Sequence, residues 1–228
     1  MLENDTINLK VVEKVALALG DLNEEVVYVG GAVISLYVND LGAEQPRPTK
    51  DIDISVQIGS YAQMELLRER LAKKNIFPAP QEKVIYRYIY QDILIDFIPY
   101  ESTSLGPTNQ WLKPGFEHAY KVDIGVSSIR ILPVSLFIAT KWAAFKDRGS
   151  DPRTSPDFED IIYVIDNNLD FVDNVLRSGI DVQNFLKEMS IEILSHPSLH
   201  EIIECHMNPL TALERGKLLI AKLKSISQ

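Results

Sequence analysis

The chain has 228 residues, of which 46% are hydrophobic and 24% charged, with 11 Gly and 12 Pro; this composition is typical of a folded globular protein and excludes disordered, collagen-like and coiled-coil classes. Its 23 Lys and Arg against 32 Asp and Glu give a net charge of −9, which argues against a protein that coats nucleic acid over most of its surface. The single cysteine excludes an internal disulfide, and no apolar run approaches the ~18 residues of a membrane span. The N-terminal segment is acidic where a signal peptide would be basic and then apolar, so we expect a cytoplasmic protein with no membrane partner.

Hydrophobic spacing predicts an α+β chain whose strands all lie in its first part. The first elements, in chain order, are a helix over 7–19, a strand over 26–29, a helix over 32–38, a loop over 39–50 and a strand over 51–57. These are followed by a helix over 60–74, strands over 83–90 and 93–99 joined as a tight hairpin, a long loop over 100–117 and a strand near 126–132. In the rest of the chain the same spacing predicts helices over 134–147, 156–168, 181–195 and 208–225 and no further strand. We therefore expect a mixed α+β domain over 1–131 and a helical domain over 132–228.

Two aspartates share one face of the predicted strand over 51–57. Side chains alternate along a strand, so Asp51 and Asp53 must point the same way and repel each other. Mg²⁺ would relieve this repulsion, because it prefers oxygen ligands, is usually held by one or two carboxylates with substrate phosphates, and acts in pairs in phosphoryl transfer. The pair indicates a site for two Mg²⁺ ions; the alternative is a strand whose polar face, which includes Ser55, is simply solvated.

A third aspartate, Asp96, lies in the otherwise apolar run of residues 94–98. A carboxylate in such a setting is costly unless it is paired with a cation. If the hairpin over 83–99 lies beside the strand over 51–57, Asp96 completes a three-carboxylate metal cluster. The alternative is an ion pair with Arg87 or with a lysine.

Two glycines stand between the first predicted strand and the helix that follows it. Gly30 and Gly31 would let the backbone approach a ligand closely, and the helix N-terminus would offer free N–H groups to phosphate oxygens. The pair matches neither the dinucleotide fingerprint nor the Walker loop. Both a phosphate-contacting turn and a plain turn fit the sequence.

The predicted helix over 134–147 is apolar on all sides, which is typical of a buried helix. Lys141 is its first charged residue and shares a helical stripe with Arg148, so both cations could reach one cleft. A buried lysine needs an anion, which is either a bound phosphate or the carboxylate of a simple ion pair. On the next helix Asp160 faces inward, and its expected partner is Lys141, Arg148 or a ligand.

Basic residues cluster in two places despite the negative net charge: Arg68, Arg70, Lys73 and Lys74 form one group, and Lys141, Lys146, Arg148 and Arg153 form the other. Such clusters could meet an RNA substrate on one face. The alternative for both is a solvated helix surface.

Four segments in this order resemble the AbiEii-type nucleotidyltransferases, a branch of the DNA polymerase beta-like superfamily. They are residues 28–32 (YVGGA), 47–54 (RPTKDIDI), 141–149 (KWAAFKDRG) and 155–161 (SPDFEDI). The resemblance spans residues 26–166, and the combination of segments is specific where each segment alone is not.

The resemblance implies a small mixed sheet with flanking helices, a helical C-terminal half that closes the nucleotide cleft, and transfer of an NMP from an NTP to an acceptor. The implied roles are a phosphate-contacting turn at Gly30 and Gly31, metal ligands at Asp51 and Asp53, a third carboxylate at Asp96, a triphosphate contact at Lys141 and an acidic site residue at Asp160. We expect Arg148 to contact the nucleotide as well, because it shares the helical stripe of Lys141. Some members are toxins of toxin–antitoxin pairs that add nucleotides to tRNA ends. An RNA acceptor and a cognate antitoxin-like partner are therefore expectations for this chain.

Two functions remain open on the sequence alone. One is a metal-dependent nucleotidyltransferase that moves NMP units onto an acceptor. The other is a non-catalytic nucleotide-binding or interaction protein of a two-protein module. Retention of both Asp51 and Asp53 favours the enzyme, because an inactive chain has no need to hold two repelling carboxylates on one strand face.

Overall fold

A computed structural model describes residues 9–79, 86–101 and 109–228. It has the predicted mixed α and β composition, with helices dominating the C-terminal half. Internal contacts divide the chain into two compact units: unit 1 contains the described residues of 1–33 and 47–133, and unit 2 contains 34–46 and 134–228. The domain boundary after residue 131 stays a prediction; these units differ from it in residues 34–46, which group with the C-terminal half.

Unit 1 contains the sheet. Its elements are α1 (Leu9–Leu19), β1 (Val27–Val29), β2 (Asp51–Val56), α2 (Tyr61–Ala72), β3 (Phe77–Pro78), β4 (Arg87–Tyr90), β5 (Ile93–Pro99), α3 (Leu112–Glu117), β6 (Tyr120–Ile124) and β7 (Ser127–Ile131). Short 3₁₀ helices occupy Gly20–Glu25 and Gly31–Tyr37. Among the described residues the strand order is β3-β4-β5-β2-β1-β7-β6.

The register of the central strands places the predicted acidic residues side by side. β1 and β2 are antiparallel with Val29 opposite Asp53, and β2 and β5 are parallel with Asp53 opposite Asp96. β4 and β5 are antiparallel with Arg87 opposite Asp96. Directly opposite residues point to the same face of a sheet, so this register brings the three side chains of Asp53, Asp96 and Arg87 together.

Apolar burial fixes this register. Ile52 and Ile54 on β2, Ile95 and Phe97 on β5 and Tyr28 on β1 are buried. A slip of one residue would exchange the two faces of β2 and β5, moving Ile52, Ile54, Ile95 and Phe97 out of the core and the aspartates into it. Burial of one such side chain stabilises the fold by about 1.5–3 kcal/mol, so the paired strands keep the register that gathers the acidic residues.

Unit 2 is helical. Its helices are α4 (Val134–Arg148), α5 (Pro156–Asn167), α6 (Phe171–Leu176), α7 (Ile180–Leu194), α8 (Leu199–Glu204) and α9 (Ala212–Ile226). The α5 helix begins where the sequence indicates, since the Ser155 side chain accepts a hydrogen bond from the Phe158 N–H and Pro156 occupies the first turn. Ten residues of α4 are buried, as its all-round apolar sequence predicts.

Hydrogen bonds join residues 34–46 to the end of α5 within unit 2. The backbone N–H groups of Asn39 and Asp40 donate to the Asn167 carbonyl at 3.2 and 3.1 Å, and the Asn168 side chain donates to the Tyr37 carbonyl at 2.6 Å. The last turn of a helix leaves carbonyl groups without intrahelical partners, and these contacts satisfy one of them. Residues 37–40 are therefore held to the end of α5 within unit 2.

Most predicted elements are confirmed, and in the described ranges no strand follows β7. Three expectations need correction. The predicted loop over 100–117 contains α3, β6 precedes β7 as an unpredicted edge strand, and the predicted helix over 32–38 is a 3₁₀ helix. Residues 80–85 and 102–108 of the predicted hairpin and loop lie outside the described residues.

The sequence also predicted no helix at α6 or α8, and most of the elements that it did not predict are short. α3, α6 and α8 have six residues each, which is less than two helical turns and too short to show a clear apolar period. β6 alternates in sequence but is mostly exposed, so it lacks the apolar face on which strand prediction depends. No helix in the described ranges is long and apolar enough to cross a membrane.

Candidate active site

Three aspartates of unit 1 form what we call the acidic edge: Asp51, Asp53 and Asp96. Asp51 and Asp53 lie on one face of β2 and are half-buried, whereas Asp96 on β5 is buried. β2 pairs with β5, which meets the condition under which Asp96 was expected to lie beside the aspartate pair. Two of the three carboxylates therefore remain partly open to solvent.

Gly30 allows the carboxylate of Asp53 to approach the backbone closely. Its φ of +75° lies in the left-handed region that glycine adopts without steric cost. A Cβ added at Gly30 would lie 1.9 Å from Asp53 Oδ2, far inside van der Waals contact. A side chain at position 30 and this placement of Asp53 are incompatible.

Gly31 lies against two side chains for which the sequence suggested no role. A Cβ built at Gly31 would be 3.5 Å from Arg47 Nη2 and 3.6 Å from Thr49 Cβ. The Thr49 hydroxyl in turn donates to Asp51 Oδ1 at 3.2 Å. The position of Thr49, two residues before Asp51, was the available signal, since such a hydroxyl can reach a neighbouring carboxylate.

Arg87 on β4 contacts two aspartates of the acidic edge. Its Nε and Nη2 donate to the two oxygens of Asp96 at 2.7 and 2.8 Å, and Nη2 also lies 3.1 Å from Asp51 Oδ2. Such two-pronged contacts are among the stronger hydrogen bonds of proteins. The alternative interpretation of Asp96, an ion pair with Arg87, is thus confirmed.

The polar face of β2 is not simply solvated. Ser55, the third polar residue of that face, is fully buried, and its hydroxyl has no hydrogen-bond partner among the described residues. The exposure of the face is therefore confined to the end of β2 that carries Asp51 and Asp53.

The acidic edge fits a magnesium site made of two carboxylates. In the described ranges no group of three or more His, Cys, Asp or Glu side chains is arranged to hold a metal ion, and Asp96 contacts Arg87 instead. Mg²⁺ is commonly held by one or two carboxylates completed by substrate phosphates and water. Asp51 and Asp53 provide that donor set, and the predicted Mg²⁺ ions stay a prediction.

A second charged cluster, the α4–α5 ionic cluster, lies inside unit 2 and consists of Lys141, Arg148, Asp157 and Asp160. Lys141 Nζ lies 2.7 Å from Asp160 Oδ2 and 3.5 Å from Asp157 Oδ1, and Arg148 contacts the other oxygen of Asp157. The two cations predicted to share a stripe thus converge on one carboxylate. Lys141, Asp157 and Asp160 are 8%, 4% and 1% exposed, so three members of the cluster are buried.

The contacts of Lys141 match the simple ion pair that was its alternative interpretation. Its ammonium group meets the carboxylates of Asp157 and Asp160, and it also lies 5.8 Å from the centroid of the Phe137 ring. The contact of Lys141 with a triphosphate, and the nucleotide contact of Arg148, stay predictions.

The two basic clusters are largely neutralised by carboxylates. Arg70 and Lys74 contact Glu25 and Asp21, and Lys146 contacts Glu192. Arg153 binds both oxygens of Glu201 at 2.8 and 3.0 Å, which holds the pKa of Glu201 below its usual value. Apart from Lys141, which is buried, the residues of the two clusters fit the alternative of solvated helix surfaces better than a continuous basic track.

Comparison with known proteins supports the fold. A solved structure of an antigenic nucleotidyltransferase-like protein from Paracoccidioides brasiliensis is similar with a TM-score of 0.54 at 16% identity, covering 89% of this chain and 94% of that one. The solved structure of JHP933 from Helicobacter pylori gives a TM-score of 0.48 at 14% identity over 96% of this chain and 91% of that one, a level too low for an argument. No protein-family model matches the chain, and no curated protein matches it. The chain therefore has a nucleotidyltransferase-like fold.

Proposed function

We propose that this protein is a metal-dependent nucleotidyltransferase that binds an NTP with Mg²⁺ at the acidic edge. The observation that carries the proposal is the close approach of Asp53 to Gly30 beside Asp51. Two half-buried carboxylates of like charge are held side by side at the end of β2, next to a turn that has no side chain at Gly30. The two carboxylates supply the oxygen ligands that Mg²⁺ prefers, and Mg²⁺ held there would take its remaining ligands from water and the phosphates of an NTP.

Asp51 and Asp53 would hold the magnesium ions. When bound, Mg²⁺ neutralises phosphate charge and assists the displacement at phosphorus. The Thr49 hydroxyl orients Asp51 through its hydrogen bond, and Gly30 leaves the space that Asp53 occupies. The seven-residue 3₁₀ helix at Gly31–Tyr37 is too short to contribute a strong dipole, so the proposed phosphate contact depends on the glycine backbone itself.

Asp96 would act on the acceptor only after its contact with Arg87 is released. A general base must accept a proton from the attacking hydroxyl, and both oxygens of Asp96 already accept hydrogen bonds from Arg87. In the proposal Arg87 therefore positions Asp96 at the acidic edge before an acceptor binds. For Lys141, Arg148 and Asp160 the resemblance implies a role at the nucleotide site, whereas their ion pairs within unit 2 favour a structural role.

A non-catalytic nucleotide-binding protein is the second candidate, and the contacts of Arg87 favour it. The guanidinium group contacts both Asp51 and Asp96. A cation of the protein itself therefore neutralises part of the negative charge that a metal ion would otherwise neutralise. An RNA acceptor, a toxin role with a cognate antitoxin-like partner, and membership of the AbiEii-type branch are further proposals that rest on the resemblance.

A transfer assay separates the two candidates. The purified protein is incubated with each α-labelled NTP, Mg²⁺, total RNA and lysate protein, and the label is followed into RNA, protein or small molecules. We expect transfer by the wild type that EDTA abolishes and that Asp53→Asn lowers by about 100-fold or more, because the metal-held phosphate contact is lost.

Asp92→Asn is the matched control, since it removes an exposed aspartate from the turn between β4 and β5. It should transfer label like the wild type. Full activity of Asp53→Asn, or activity in excess EDTA, would contradict the enzyme. Magnesium-dependent NTP binding without any transfer would favour the non-catalytic candidate.

A further inference from the structure

Unit 1 contains a cavity of about 400 Å³ at the opposite end of β2 from Asp51. Val26 and Val56 line this cavity, and Val56 lies five positions after Asp51, a distance of roughly 16 Å along β2. The volume is in the range of small-molecule sites, which is about 300–1,000 Å³. We call it the Arg130 pocket; all of its lining residues belong to the described part of unit 1.

The walls of the Arg130 pocket are mainly apolar. Ile58, Leu67 and Phe116 contribute buried or half-buried surface, and Leu66 on α2 lines the pocket although it is 60% exposed. Apolar side chains around a concave surface favour a ligand with an apolar body, because contact with it removes apolar area from water.

One cation of the pocket has no carboxylate partner among the described residues. The guanidinium carbon of Arg130 lies 5.0 Å from the centroid of the Phe116 ring, and its Nη2 donates to the Phe116 carbonyl at 3.1 Å. These two contacts fix the side chain but neutralise no charge. Within a chain of net charge −9, a half-buried arginine without a carboxylate is an unusual feature.

The other charges that line the pocket balance each other. Arg70 donates to both oxygens of Glu25 at 2.7 and 2.6 Å, and this contact holds the pKa of the Glu25 carboxyl below its usual value. Glu25 is therefore ionised at neutral pH, and the pair contributes no net charge. Arg130 leaves the pocket with one positive charge, which matches a monoanion better than a polyanion such as an NTP.

We propose that the Arg130 pocket binds a small amphipathic monoanion, a carboxylate on an apolar body. The carboxylate would accept hydrogen bonds from the planar guanidinium fork of Arg130, whose geometry suits carboxylate oxygens. The apolar body would lie against Ile58, Leu66 and Phe116. This site is separate from the acidic edge and does not depend on the proposed nucleotidyl transfer.

Octanoate and 1-octanol are matched probes, because they share an apolar chain of the same length and differ in charge. Ligand-observed NMR titrations of the wild-type protein, without NTP or Mg²⁺, should show octanoate binding about tenfold more tightly than 1-octanol, as expected for a charge-assisted hydrogen bond. Arg130→Gln should remove this difference. Arg68→Gln, which removes an exposed cation of α2 that does not line the pocket, should retain it.

A second variant tests the pocket without touching Arg130. Leu66→Glu places a carboxylate on the exposed rim and should weaken octanoate binding about tenfold, because it supplies a competing negative charge. Leu17→Glu, at a comparably exposed leucine of α1 outside the pocket, should have no effect. Failure of octanoate to bind, equal binding of octanoate and 1-octanol, or binding unaffected by both Arg130→Gln and Leu66→Glu would overturn the proposal.

Discussion

The acidic edge of unit 1 and the α4–α5 ionic cluster of unit 2 both bring aspartates together with basic side chains, but they differ in exposure. Asp51 and Asp53 are half-buried, with Asp51 contacting a hydroxyl and a guanidinium. Asp157 and Asp160 are almost fully buried, and Lys141 and Arg148 contact them directly. On the sequence alone, residues of both clusters were expected to lie at the nucleotide site.

The difference in exposure predicts that the charges of one cluster mainly stabilise the fold and that those of the other mainly bind a ligand. Removing a charge from a buried ion pair leaves its partner unpaired in a medium that solvates it poorly, so the buried cluster should matter first for stability. Half-exposed carboxylates can exchange water for a cation and a phosphate, so the acidic edge should matter first for ligand binding.

The largest stability effect is expected at Asp160. Asp160→Asn leaves the buried ammonium of Lys141 without its nearest carboxylate, and loss of one partner of a buried pair costs about 3–5 kcal/mol. Urea unfolding measures this loss directly. Asp173→Asn on α6, whose ion pair with Arg177 is exposed, is the control and should unfold near the wild-type midpoint. Equal midpoints for the two variants would show that the buried cluster is not structural.

A smaller but more local effect is expected at Gly30. Gly30→Ala forces an L-residue into a left-handed conformation, at a cost of about 1–2 kcal/mol, and its Cβ must displace Asp53. We expect lower stability and weakened Mg²⁺-dependent NTP binding.

Gly31→Ala is the matched control for that variant. Its Cβ would meet Arg47 and Thr49 only at ordinary contact distances of 3.5 Å or more. It should bind Mg²⁺ and NTP more nearly like the wild type, as measured by calorimetry. If the two alanine variants lose NTP binding equally, the close approach of Asp53 does not explain why binding requires a glycine at position 30.

Lys141 tests the difference between the two clusters, because the sequence predicts that it contacts the triphosphate although it lies in the buried cluster. The division by exposure predicts that Lys141→Met lowers the unfolding midpoint and changes NTP affinity little, since the ammonium group already contacts Asp157 and Asp160. Thermal unfolding and NTP titration on the same sample check both parts. A large loss of NTP affinity at an unchanged midpoint would instead establish the triphosphate contact.

The smallest expected effect is a change in how the stability of the protein depends on pH, and it concerns Asp40 in the segment 34–46. The Gly42 N–H and the Arg215 guanidinium hold the pKa of the Asp40 carboxyl below its usual value of 3.8. A carboxyl with a lowered pKa in the folded state stabilises the protein above the unfolded value, and this contribution is lost as the pH falls below 3.8 through the folded value. Asp40→Asn should therefore flatten the decline of stability in acid. Unfolding midpoints that fall between pH 5 and 3 as steeply as in the wild type would contradict this role.

Much of the fold and part of the candidate site could be predicted from the sequence. Regular alternation over residues 51–57 and the apolar run around Asp96 carried enough signal to predict β2 and β5, whereas their pairing was only the condition on which the three-carboxylate cluster depended. The inward face of Asp160 also followed from helical spacing, and Lys141 is one of the three partners that were expected for it.

Other features depend on tertiary contacts that no local pattern encodes. The two-pronged contact of Arg87 with Asp96 requires the register of β4 on β5, which the sequence left as one of several alternatives. The grouping of residues 34–46 with unit 2 depends on the carbonyl of Asn167, more than 120 residues away in the chain. The cavity beside Arg130 likewise arises from residues of several separate elements.

Calorimetric titration of NTP into the protein, with and without Mg²⁺, tests whether the acidic edge is the nucleotide site. We expect saturable, Mg²⁺-dependent binding by the wild type and by Asp92→Asn, and affinity lowered at least about tenfold in Asp51→Asn and Asp53→Asn. Absence of Mg²⁺-dependent binding in the wild type, or equal affinities in all four proteins, would contradict the assignment of the acidic edge as the nucleotide site.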